Sequence, residues 1–422
     1  MVISRPRGTN DFLPDVTGKW QKLETMLREL CQQYGYKEIR TPIFEETELF
    51  SRGVGSTTDI VQKEMYTFND HGGRSITLRP ENTASACRAY LENKLYGQVQ
   101  PVKLYYMGPM FRYEKPQAGR FRQFHQFGIE LFGTEAPAAD AEVICFAWEL
   151  YRRLKIKNLQ LKINSVGCPQ CRPRYKQALQ DFFRPHLDKL CPSCQDRFER
   201  NPLRILDCKS PICQEIGNGA PLIYDFLCEE CSEHFAQVQD FLRAANIDFE
   251  LDPHMVRGLD YYTKTAFEIQ VASIGAQSAV CGGGRYDGLI EELGGDHTPA
   301  VGFALGMERI FSALASQEDD LTVDDSIEVY IISAKNKQLK EAAFALASAL
   351  RSAGISAEIE LGDKSFKAQM KAADRLHAAH AVIFGEDEFA KGTAAVKDMI
   401  NGGQVDIPIA ELTVYLQAHR AQ

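Results

Sequence analysis

The segment MGPMFRYEKPQAGRFRQFHQFGIELFG, residues 107–133, constrains the fold of this chain most, because it reads as a β-hairpin with charged side chains along its strands. Side chains alternate between the two faces of a strand, so Arg112 and Glu114 share one face of the first limb. Phe111 and Tyr113 take the other face. Residues 115–122 are rich in proline, glycine and arginine, which predicts a hairpin loop with a positively charged tip.

The second limb repeats this alternation. One face carries Gln126, Gly128 and Glu130, and the other carries Phe127, Ile129 and Leu131. Alternating polar residues often mark a solvated sheet face, and that interpretation stays open here. Large apolar residues flank both limbs, however, which favours a covered central strand pair whose charged groups need partners. The hairpin therefore predicts a rigid polar floor that holds cationic, acidic and amide groups.

Length and composition bound the architecture and the class of protein. A chain of 422 residues predicts two or three domains, each able to bury its own core. Its hydrophobic and charged fractions are typical of a soluble globular protein. Without a membrane-length apolar run or a secretory signal near the start, we predict a cytoplasmic protein that does not bind membranes. The net charge of −9 argues against a general nucleic-acid coat but allows RNA held by a local basic patch.

Cysteines concentrate in one part of the chain, where eight of the twelve lie between residues 168 and 231. In a reducing compartment such clustering favours metal-bound thiolates over disulfides. The nineteen residues that separate the first two C-x-x-C pairs fit a four-cysteine zinc site, and the other four cysteines could form a second. Redox pairs, plain buried thiols and a lost metal stay open as alternatives. The eight candidate ligands are Cys168, Cys171, Cys191, Cys194, Cys208, Cys213, Cys228 and Cys231.

The remaining periodicity is mixed. Residues 16–35 have a helical period, and residues 36–44 read as a strand interrupted at Thr41-Pro42. Mixed strands and helices continue to 165, resume near 247 after the cysteine-rich block, and end in a helix containing 307–315. The acidic segment 316–326 reads as a linker.

Beyond the linker, the sequence predicts a small α/β unit. Strands are predicted at 328–333, 357–361 and 381–384, and alanine-rich helices at 337–353 and 366–377. This part of the sequence lacks G-x-G-x-x-G, so a dinucleotide site is not expected.

Four further motifs accompany the hairpin. They are LRPENT at 78–83, RGLDYYTKTAFEI at 257–269, VCGGGRYDGL at 280–289 and GFALGMERI at 302–310. The triple glycine is needed where backbone must approach a flat ligand closely. Arg309 falls near the start of a predicted helix, where a cation opposes the helix dipole and is explained better by a bound anion. Each motif alone is as readily a turn glycine or a surface arginine, and their joint occurrence carries the argument.

Together these motifs resemble the histidyl-tRNA synthetase family of class II aminoacyl-tRNA synthetases. FRYE at 111–114 with its hairpin is similar to class II motif 2, GFALGMERI is similar to motif 3, and the strand around Pro42 takes the place of motif 1. RGLDYYT and GGGRYDGL resemble the two signatures peculiar to the histidine enzymes. The resemblance covers nearly the whole chain from RPRGTNDFLPD at 5–15 onward, but many family members lack the cysteines.

This resemblance implies an α+β class II catalytic core with an antiparallel sheet, an inserted Cys-rich domain and a C-terminal α/β anticodon-binding domain. The core would occupy 1–166 and 247–318, and the insertion 167–246. A linker at 319–326 would precede the anticodon-binding domain at 327–422. Motif 1 further implies a homodimer.

The implied enzyme is a histidine–tRNA ligase. The carboxylate of L-histidine would attack the α-phosphorus of ATP, giving histidyl-adenylate and pyrophosphate, with Mg²⁺ bridging the phosphates. The tRNA(His) would then take the histidyl group and release AMP. Because two anions must meet, the protein must neutralise charge and align the reactants, and no protein nucleophile is required.

The resemblance makes Arg112 and Arg257 the catalytic residues. Arg112 would hold the α-phosphate, and Arg257 would hold the α-phosphate or the histidine carboxylate. ATP would be bound by Arg112, Glu114 and Arg309, with Arg309 at the γ-phosphate. Arginine suits these places because its planar fork pairs two oxygens at once and keeps its charge.

Histidine recognition would be polar, since imidazole differs from other rings by its two hydrogen-bonding nitrogens. A site built on such bonds rejects analogues that lack them, so separate editing is not required. Glu130 and Tyr262 would bind the imidazole ring, and Tyr261 would line the pocket. The amino and carboxylate end would be held by Glu81, Thr83 and Gln126, and the full histidine-binding set implied by the resemblance is Glu81, Thr83, Arg112, Gln126, Glu130, Arg257, Tyr261 and Tyr262.

Three alternatives stay open at this point. A non-catalytic histidine-sensing regulatory subunit of histidine biosynthesis shares the core, but Arg112, Arg257, Arg309 and a C-terminal domain argue against it. A class II synthetase for another amino acid is disfavoured by RGLDYYT. A zinc-ribbon RNA-binding protein would explain the cysteines but not the hairpin.

Overall fold

A computed structural model of the chain describes residues 3–55, 58–116, 119–272, 278–318, 320–323 and 325–419. The chain divides into two compact units, 1–321 and 322–422. None of the helices within these described ranges is both long enough and apolar enough to cross a membrane.

A mixed eight-stranded sheet organises the first unit. Its order is β1-β5-β6-β11-β10-β9-β7-β8, with parallel pairs at the two edges and antiparallel pairs between them. A separate antiparallel sheet has the order β2-β4-β3. The strands are β1 (Lys37–Glu38), β2 (Phe44–Glu46), β3 (Tyr66–Asn69), β4 (Ser75–Leu78), β5 (Val102–Phe111), β6 (Gln123–Phe132), β7 (Leu159–Ser165), β8 (Glu250–Leu251), β9 (Thr263–Val271), β10 (Ala279–Arg285) and β11 (Ala300–Gly306).

Helices α1, α4, α9 and α11 share one hydrophobic core with the main sheet. In α1, Leu23, Leu27 and Leu30 are fully buried, because spacings of four and three residues place them on one helical face. The helices of the first unit are α1 (Pro14–Gln33), α2 (Thr47–Gly53), α3 (Thr83–Glu92), α4 (Pro137–Arg153), α5 (Cys171–Phe183), α6 (Pro192–Arg200), α7 (Leu203–Leu206), α8 (Pro211–Gly217), α9 (Glu229–Ala244), α10 (Leu289–Glu292) and α11 (Met307–Ala315).

The predicted hairpin is confirmed as the antiparallel pair of β5 and β6, which runs from Val102 opposite Phe132 to Phe111 opposite Gln123. The apolar side chains of β6 join the helical core, and Glu130 on its other face is also buried, at 1% exposure. The interpretation as a solvated face is therefore wrong. Residues 117 and 118 of the predicted loop lie outside the described residues.

The strand predicted at 36–44 is much shorter than expected. Only β1 forms before Pro42, and β2 begins after it at Phe44. Proline lacks a backbone N–H and restricts the residue before it, so continuous pairing cannot pass this point.

The second unit is an α/β fold around a five-stranded sheet with the order β13-β12-β14-β15-β16. The three predicted strands and two predicted helices are confirmed, but the last two strands and helices were not predicted. The elements are β12 (Val329–Ser333), α12 (Lys337–Ser352), β13 (Ala357–Ile359), α13 (Phe366–Arg375), β14 (His380–Phe384), α14 (Glu386–Ala390), β15 (Thr393–Asp398), β16 (Gln404–Pro408) and α15 (Leu412–Ala418).

The segment predicted as a linker begins directly after α11. Its residues 320–323 and 325–326 contain neither helix nor strand, and the boundary between the two compact units falls between Leu321 and Thr322. Residues 319 and 324 lie outside the described residues.

Candidate active site

A cavity of about 970 Å³ opens over the polar face of the hairpin. Arg112 directly follows β5, Gln126 lies on β6, and Arg309 lies in the first turn of α11, so three separate elements bring these side chains to one cavity. Glu114 and Arg120 line the same cavity. The cavity therefore joins cations that are distant in sequence, as a site for a polyanion requires.

Arg112 is fixed by its backbone and ring contacts. Its Nε donates to the Pro80 carbonyl over 2.9 Å, and its guanidinium lies 5.2 Å from the centre of the Phe124 ring. Glu114 Oε1 lies 3.9 Å from Arg112, while its other oxygen accepts from Arg120 over 2.9 Å. Glu114 is thus held between two arginines, and the plane of the Arg112 guanidinium is set before any ligand binds.

Arg309 lies in an electrostatically unfavourable place for a cation. Partial burial and the nearby positive charge of Arg120 lower the pKa of Arg309. Its neighbour Glu308 accepts hydrogen bonds from the His125 backbone N–H over 2.9 and 3.1 Å, which ties α11 to the hairpin. A bound anion would relieve the repulsion between the two arginines.

Arg257 lies beside the large cavity and pairs with Glu268, a residue that lines this cavity. Arg257 Nη1 donates to Glu268 Oε2 over 2.8 Å, and the guanidinium lies 5.9 Å from the centre of the Tyr262 ring. A Cβ atom at Gly282 would lie 2.0 Å from Arg257, so the first of the three glycines makes room for this arginine. Among the described residues, Arg257 Nε is buried without a hydrogen-bond partner.

Glu130 lies at the centre of a buried tyrosine cluster. The hydroxyl of Tyr106 donates to Oε1 over 3.1 Å, and the hydroxyl of Tyr286 donates to Oε2. Burial raises the pKa of Glu130 to about 8, although these hydroxyl groups favour its ionised form. A Cβ atom at Gly302 would lie 2.0 Å from Oε2, and one at Gly128 would lie 2.4 Å from the Tyr106 hydroxyl, so glycine is required at both positions.

Glu81 accepts the Thr83 and Ala84 backbone N–H groups over 2.7 and 3.0 Å and therefore caps the N-terminus of α3. Burial nevertheless raises the pKa of Glu81. Asn82 between them is fully buried, and its Oδ1 accepts from the Thr41 hydroxyl over 2.8 Å and from Arg79 over 3.1 Å. The backbone of residues 81–83 is thus fixed both by the carboxylate of Glu81 and by the hydrogen bonds of the Asn82 side chain.

Tyr261 and Tyr262 lie near this cluster, with ring centres 4.7 Å apart and ring planes tilted by 46°, and the centre of the Tyr261 ring lies 5.5 Å from that of Tyr286. Burial raises the pKa of both tyrosines. Tyr262 and Arg257 line a second, smaller cavity of about 240 Å³.

The residues predicted from the sequence therefore form one connected region of the first unit. Their roles toward substrates stay predictions. On the large cavity lie Arg112, Glu114, Gln126 and Arg309, and beside it lie Glu81, Thr83, Glu130, Arg257, Tyr261 and Tyr262.

Tyr106 and Tyr286 also belong to this region, although neither was predicted from the sequence. A signal existed for Tyr106, because the two-residue period places it on the same face of the first limb as Arg112. Tyr286 follows Arg285 in the glycine-rich motif, and Arg285 is fully buried and paired with Asp140 and Asp287. This arginine of the signature therefore braces the core, and the tyrosine after it reaches the site.

The eight clustered cysteines form two groups of four, but the predicted grouping of the first two C-x-x-C pairs is wrong. Helix α5 begins at Cys171 and carries the chain about 20 Å along its axis before the second pair, so these pairs end apart although they are close in sequence. Within each group the sulfur atoms all lie within 4.8 Å of one another. The first quartet is Cys168, Cys171, Cys228 and Cys231, and the second quartet is Cys191, Cys194, Cys208 and Cys213.

The geometry of both quartets fits tetrahedral zinc. Sulfur atoms are 3.6 Å apart for Cys168 and Cys171 and 3.7 Å apart for Cys191 and Cys208. Zn–S bonds in a tetrahedron place sulfur atoms about 3.8 Å apart, whereas a disulfide needs a much shorter contact. Burial tends to raise the pKa of the Cys168 thiol, but hydrogen bonds from backbone N–H groups lower this pKa to about 7. The lower pKa favours the thiolate that binds metal.

Family models match both units. The histidyl-tRNA synthetase model matches residues 8–170 and 225–310, and the anticodon-binding domain model matches residues 328–419. The unmatched stretch 171–224 contains most of the clustered cysteines.

Individual proteins resemble the chain over nearly its full length. A histidine–tRNA ligase of Desulfitobacterium hafniense is 58% identical over 413 residues, which is 97% of each chain. That of Desulforamulus reducens is 57% identical over 418 residues, covering 99% of this chain and all of the relative. The crystal structure of apo S. aureus histidyl-tRNA synthetase superposes with a TM-score of 0.85 at 40% identity, covering 99% of this chain and 100% of that chain. The chain belongs to the histidyl-tRNA synthetase family.

Proposed function

We propose that this protein is a histidine–tRNA ligase, which joins L-histidine to tRNA(His) at the expense of ATP. The histidine carboxylate attacks the α-phosphorus, the bond from that phosphorus to the bridging oxygen breaks, and pyrophosphate leaves. The terminal ribose 3′-hydroxyl of the tRNA then attacks the histidyl carbonyl, loses its proton, and displaces AMP. The observation that carries this proposal is the convergence of three arginines from separate elements beside a buried carboxylate and tyrosine pocket.

The arginines act on the first step by neutralising charge. Arg112 holds the α-phosphate in a plane that its contacts with Pro80 and Phe124 already define. Arg309 holds the γ-phosphate, and the anion compensates for its repulsion with Arg120. Arg257 meets the α-phosphate or the histidine carboxylate with a buried Nε that has no other hydrogen-bond partner in the described part of the chain. Such preorganised donors stabilise charge that develops in the transition state.

The tyrosine cluster selects histidine. An imidazole N–H would donate to Glu130, whose two oxygens already accept tyrosine hydroxyls, and Tyr262 would contact the ring. Gln126 Oε1, which is buried without a hydrogen-bond partner among the described residues, would accept the histidine amino group together with Glu81 and Thr83. An amino acid without a ring donor would leave the buried charge of Glu130 with only its two tyrosine hydroxyl donors, which is costly.

The acids of the cavity also suit the metal that accompanies ATP. Magnesium takes oxygen ligands, and the carboxylates of Glu114 and Glu268 line the cavity that would hold the triphosphate. When bound, Mg²⁺ supplies positive charge to the phosphate oxygens.

We assign structural zinc to the two cysteine quartets, since thiolates at tetrahedral spacing are its preferred ligands. Metal analysis of protein purified without added metal should find two zinc ions per chain, and active protein without zinc would contradict the assignment.

We also propose the finer division into a core at 1–166 and 247–318, an insertion at 167–246 and an anticodon-binding domain at 327–422 that reads tRNA(His). The protein is a cytoplasmic homodimer that pairs through the segment around Pro42, where Ile43 and Phe44 are exposed at 44% and 57%. Replacing both by serine should convert the dimer to a monomer in sedimentation analysis. An unchanged sedimentation coefficient would reject this interface.

Amino-acid-dependent exchange of pyrophosphate into ATP, screened over all twenty amino acids, tests the proposed function. Exchange should depend on histidine alone, and the purified protein should then charge tRNA(His) but not other tRNAs. Exchange with a different amino acid would identify another class II synthetase. Histidine binding without exchange would identify a sensing subunit.

A further inference from the structure

The loop that carries Arg257 and Tyr262, residues 257–262, is held from outside the catalytic sheet by the cysteine-rich insertion. Arg172 directly follows Cys171 of the first quartet, and its Nη2 donates to the Tyr262 carbonyl. Its Nε donates to the Val166 carbonyl over 3.4 Å. One guanidinium therefore ties the end of the loop to the chain that enters the first quartet.

Further hydrogen bonds join the same quartet to the start of β9. The Gly167 carbonyl, next to Cys168, accepts from the Thr263 hydroxyl over 3.2 Å and from the Lys264 N–H over 3.0 Å. Lys264 also pairs with Glu230, the neighbour of Cys231, over 2.7 Å. Residues beside ligands from both halves of the first quartet thus contact the strand that begins where the loop ends.

The second quartet supports the middle of the loop. Asn201 lies midway in sequence between Cys194 and Cys208, and its Nδ2 donates to Asp260 Oδ1 over 3.1 Å. Arg204, on the same stretch, lines both the large cavity and the smaller cavity beside Arg257. The segment between these ligands therefore lies directly against the loop.

We propose that the cysteine-rich insertion is a positioning element for catalysis: metal in its two quartets fixes Arg172 and Asn201, and these residues hold the loop 257–262 so that Arg257 and Tyr262 meet the substrates correctly. This inference rests on the proposed function. Arg172 and Asn201 act through the loop, because their hydrogen bonds go to the Tyr262 carbonyl and to Asp260 Oδ1. Small displacements of a reacting group lower the rate strongly, so losing a brace reduces turnover even in a folded protein.

Helix α5 offers a matched pair of variants for the test. Arg172→Ala should lower kcat of histidine-dependent pyrophosphate exchange about tenfold while the KM for ATP changes little. Arg174→Ala, at an exposed position two residues further along the same helix, should retain the parental kcat. Equal kcat values for the two variants would overturn the proposal, as would a change in KM for ATP alone.

A double-mutant cycle tests the second brace. Asn201→Ala and Asp260→Ala should each lower kcat, because each removes the same hydrogen bond between the two side chains. The kcat of the double variant should therefore be no lower than that of the slower single variant. Multiplicative losses would show that the bond does not transmit the effect and would overturn this part.

Metal content links the braces to the quartets. Cys228→Ser should purify with one zinc ion per chain instead of two and show the same loss of kcat as Arg172→Ala. Full kcat in a protein that has lost that ion would overturn the proposal, and if this variant does not fold, the Arg172 and Arg174 pair decides. A parental protein with no histidine-dependent exchange would reject the proposed function, whereas an active parent with unaffected variants rejects only the positioning role.

Discussion

Tyr106 donates its hydroxyl hydrogen to Glu130 Oε1 over 3.1 Å, on the buried polar face of the hairpin. Tyr286 donates to the other oxygen of the same carboxylate. Two neutral donors do not compensate for the loss of water around the charge, so burial raises the pKa of Glu130 to about 8. The carboxyl group of Glu130, which would recognise imidazole, therefore makes the stability of the ligand-free protein depend on pH.

We expect the raised pKa of Glu130 to make the stability of the folded protein depend on pH. The pKa of Glu130 in the folded protein lies above its ordinary value of 4.5, so its contribution to stability is complete below that value and is lost as pH rises through about 8. Glu130→Gln removes the titration, and its melting temperature relative to the parent should rise between about pH 5 and pH 9. Thermal unfolding without histidine measures this, with Glu29→Gln at an exposed position as the control. A difference that does not vary with pH would contradict the assignment.

The hydroxyl of Tyr286 should matter for histidine binding. Tyr286→Phe removes one donor to Glu130 and leaves the ring in place, so the carboxylate loses orientation and the KM for histidine should rise about tenfold. Tyr90→Phe is a matched control, because this buried tyrosine bonds to Gln100 and not to Glu130. Pyrophosphate exchange at varied histidine measures both. Equal KM values for the two variants would argue against orientation by Tyr286.

Arg257 should act on the transition state more than on binding. Arg257→Ala should lower the rate of adenylate formation about 100- to 1,000-fold while the Kd for histidine changes little, because one preorganised charged donor is lost. Arg257→Lys should recover only a small part, since an ammonium cannot pair two oxygens at once. Rapid-quench kinetics separate rate from affinity, and exposed Arg243→Ala is the control. A variant with the parental rate would reject the catalytic role.

Arg285 should matter for stability. Arg285→Met leaves Asp140 and Asp287 buried without their shared cation, which should cost about 3–5 kcal/mol in the free energy of unfolding. Arg28→Met breaks a solvent-exposed pair with Glu24 and should cost about 1 kcal/mol or less. Urea unfolding compares the two. Similar losses for both variants would show that the Asp140 network is not a major source of stability.

Local periodicity predicted the hairpin, α1, α11 and much of the second unit, because alternation and helical spacing depend on neighbouring residues. It missed β15, which has only three consecutive buried residues, Ala394, Ala395 and Val396, and β16, which is mostly exposed. The motifs predicted Arg112, Glu130, Arg257 and Arg309, since each stands at a characteristic place in a short segment.

The motifs were sufficient to predict the family, the polar face of the hairpin and the cations near it. The folded structure was needed to show which cysteines group together, that Tyr286 contacts Glu130, and that Arg172 contacts the loop of Arg257. The contacts Cys171–Cys228, Arg172–Tyr262 and Glu130–Tyr286 join residues that are 57, 90 and 156 positions apart. Spacing along a chain does not encode such distances, because the helices and strands between two residues decide whether they meet.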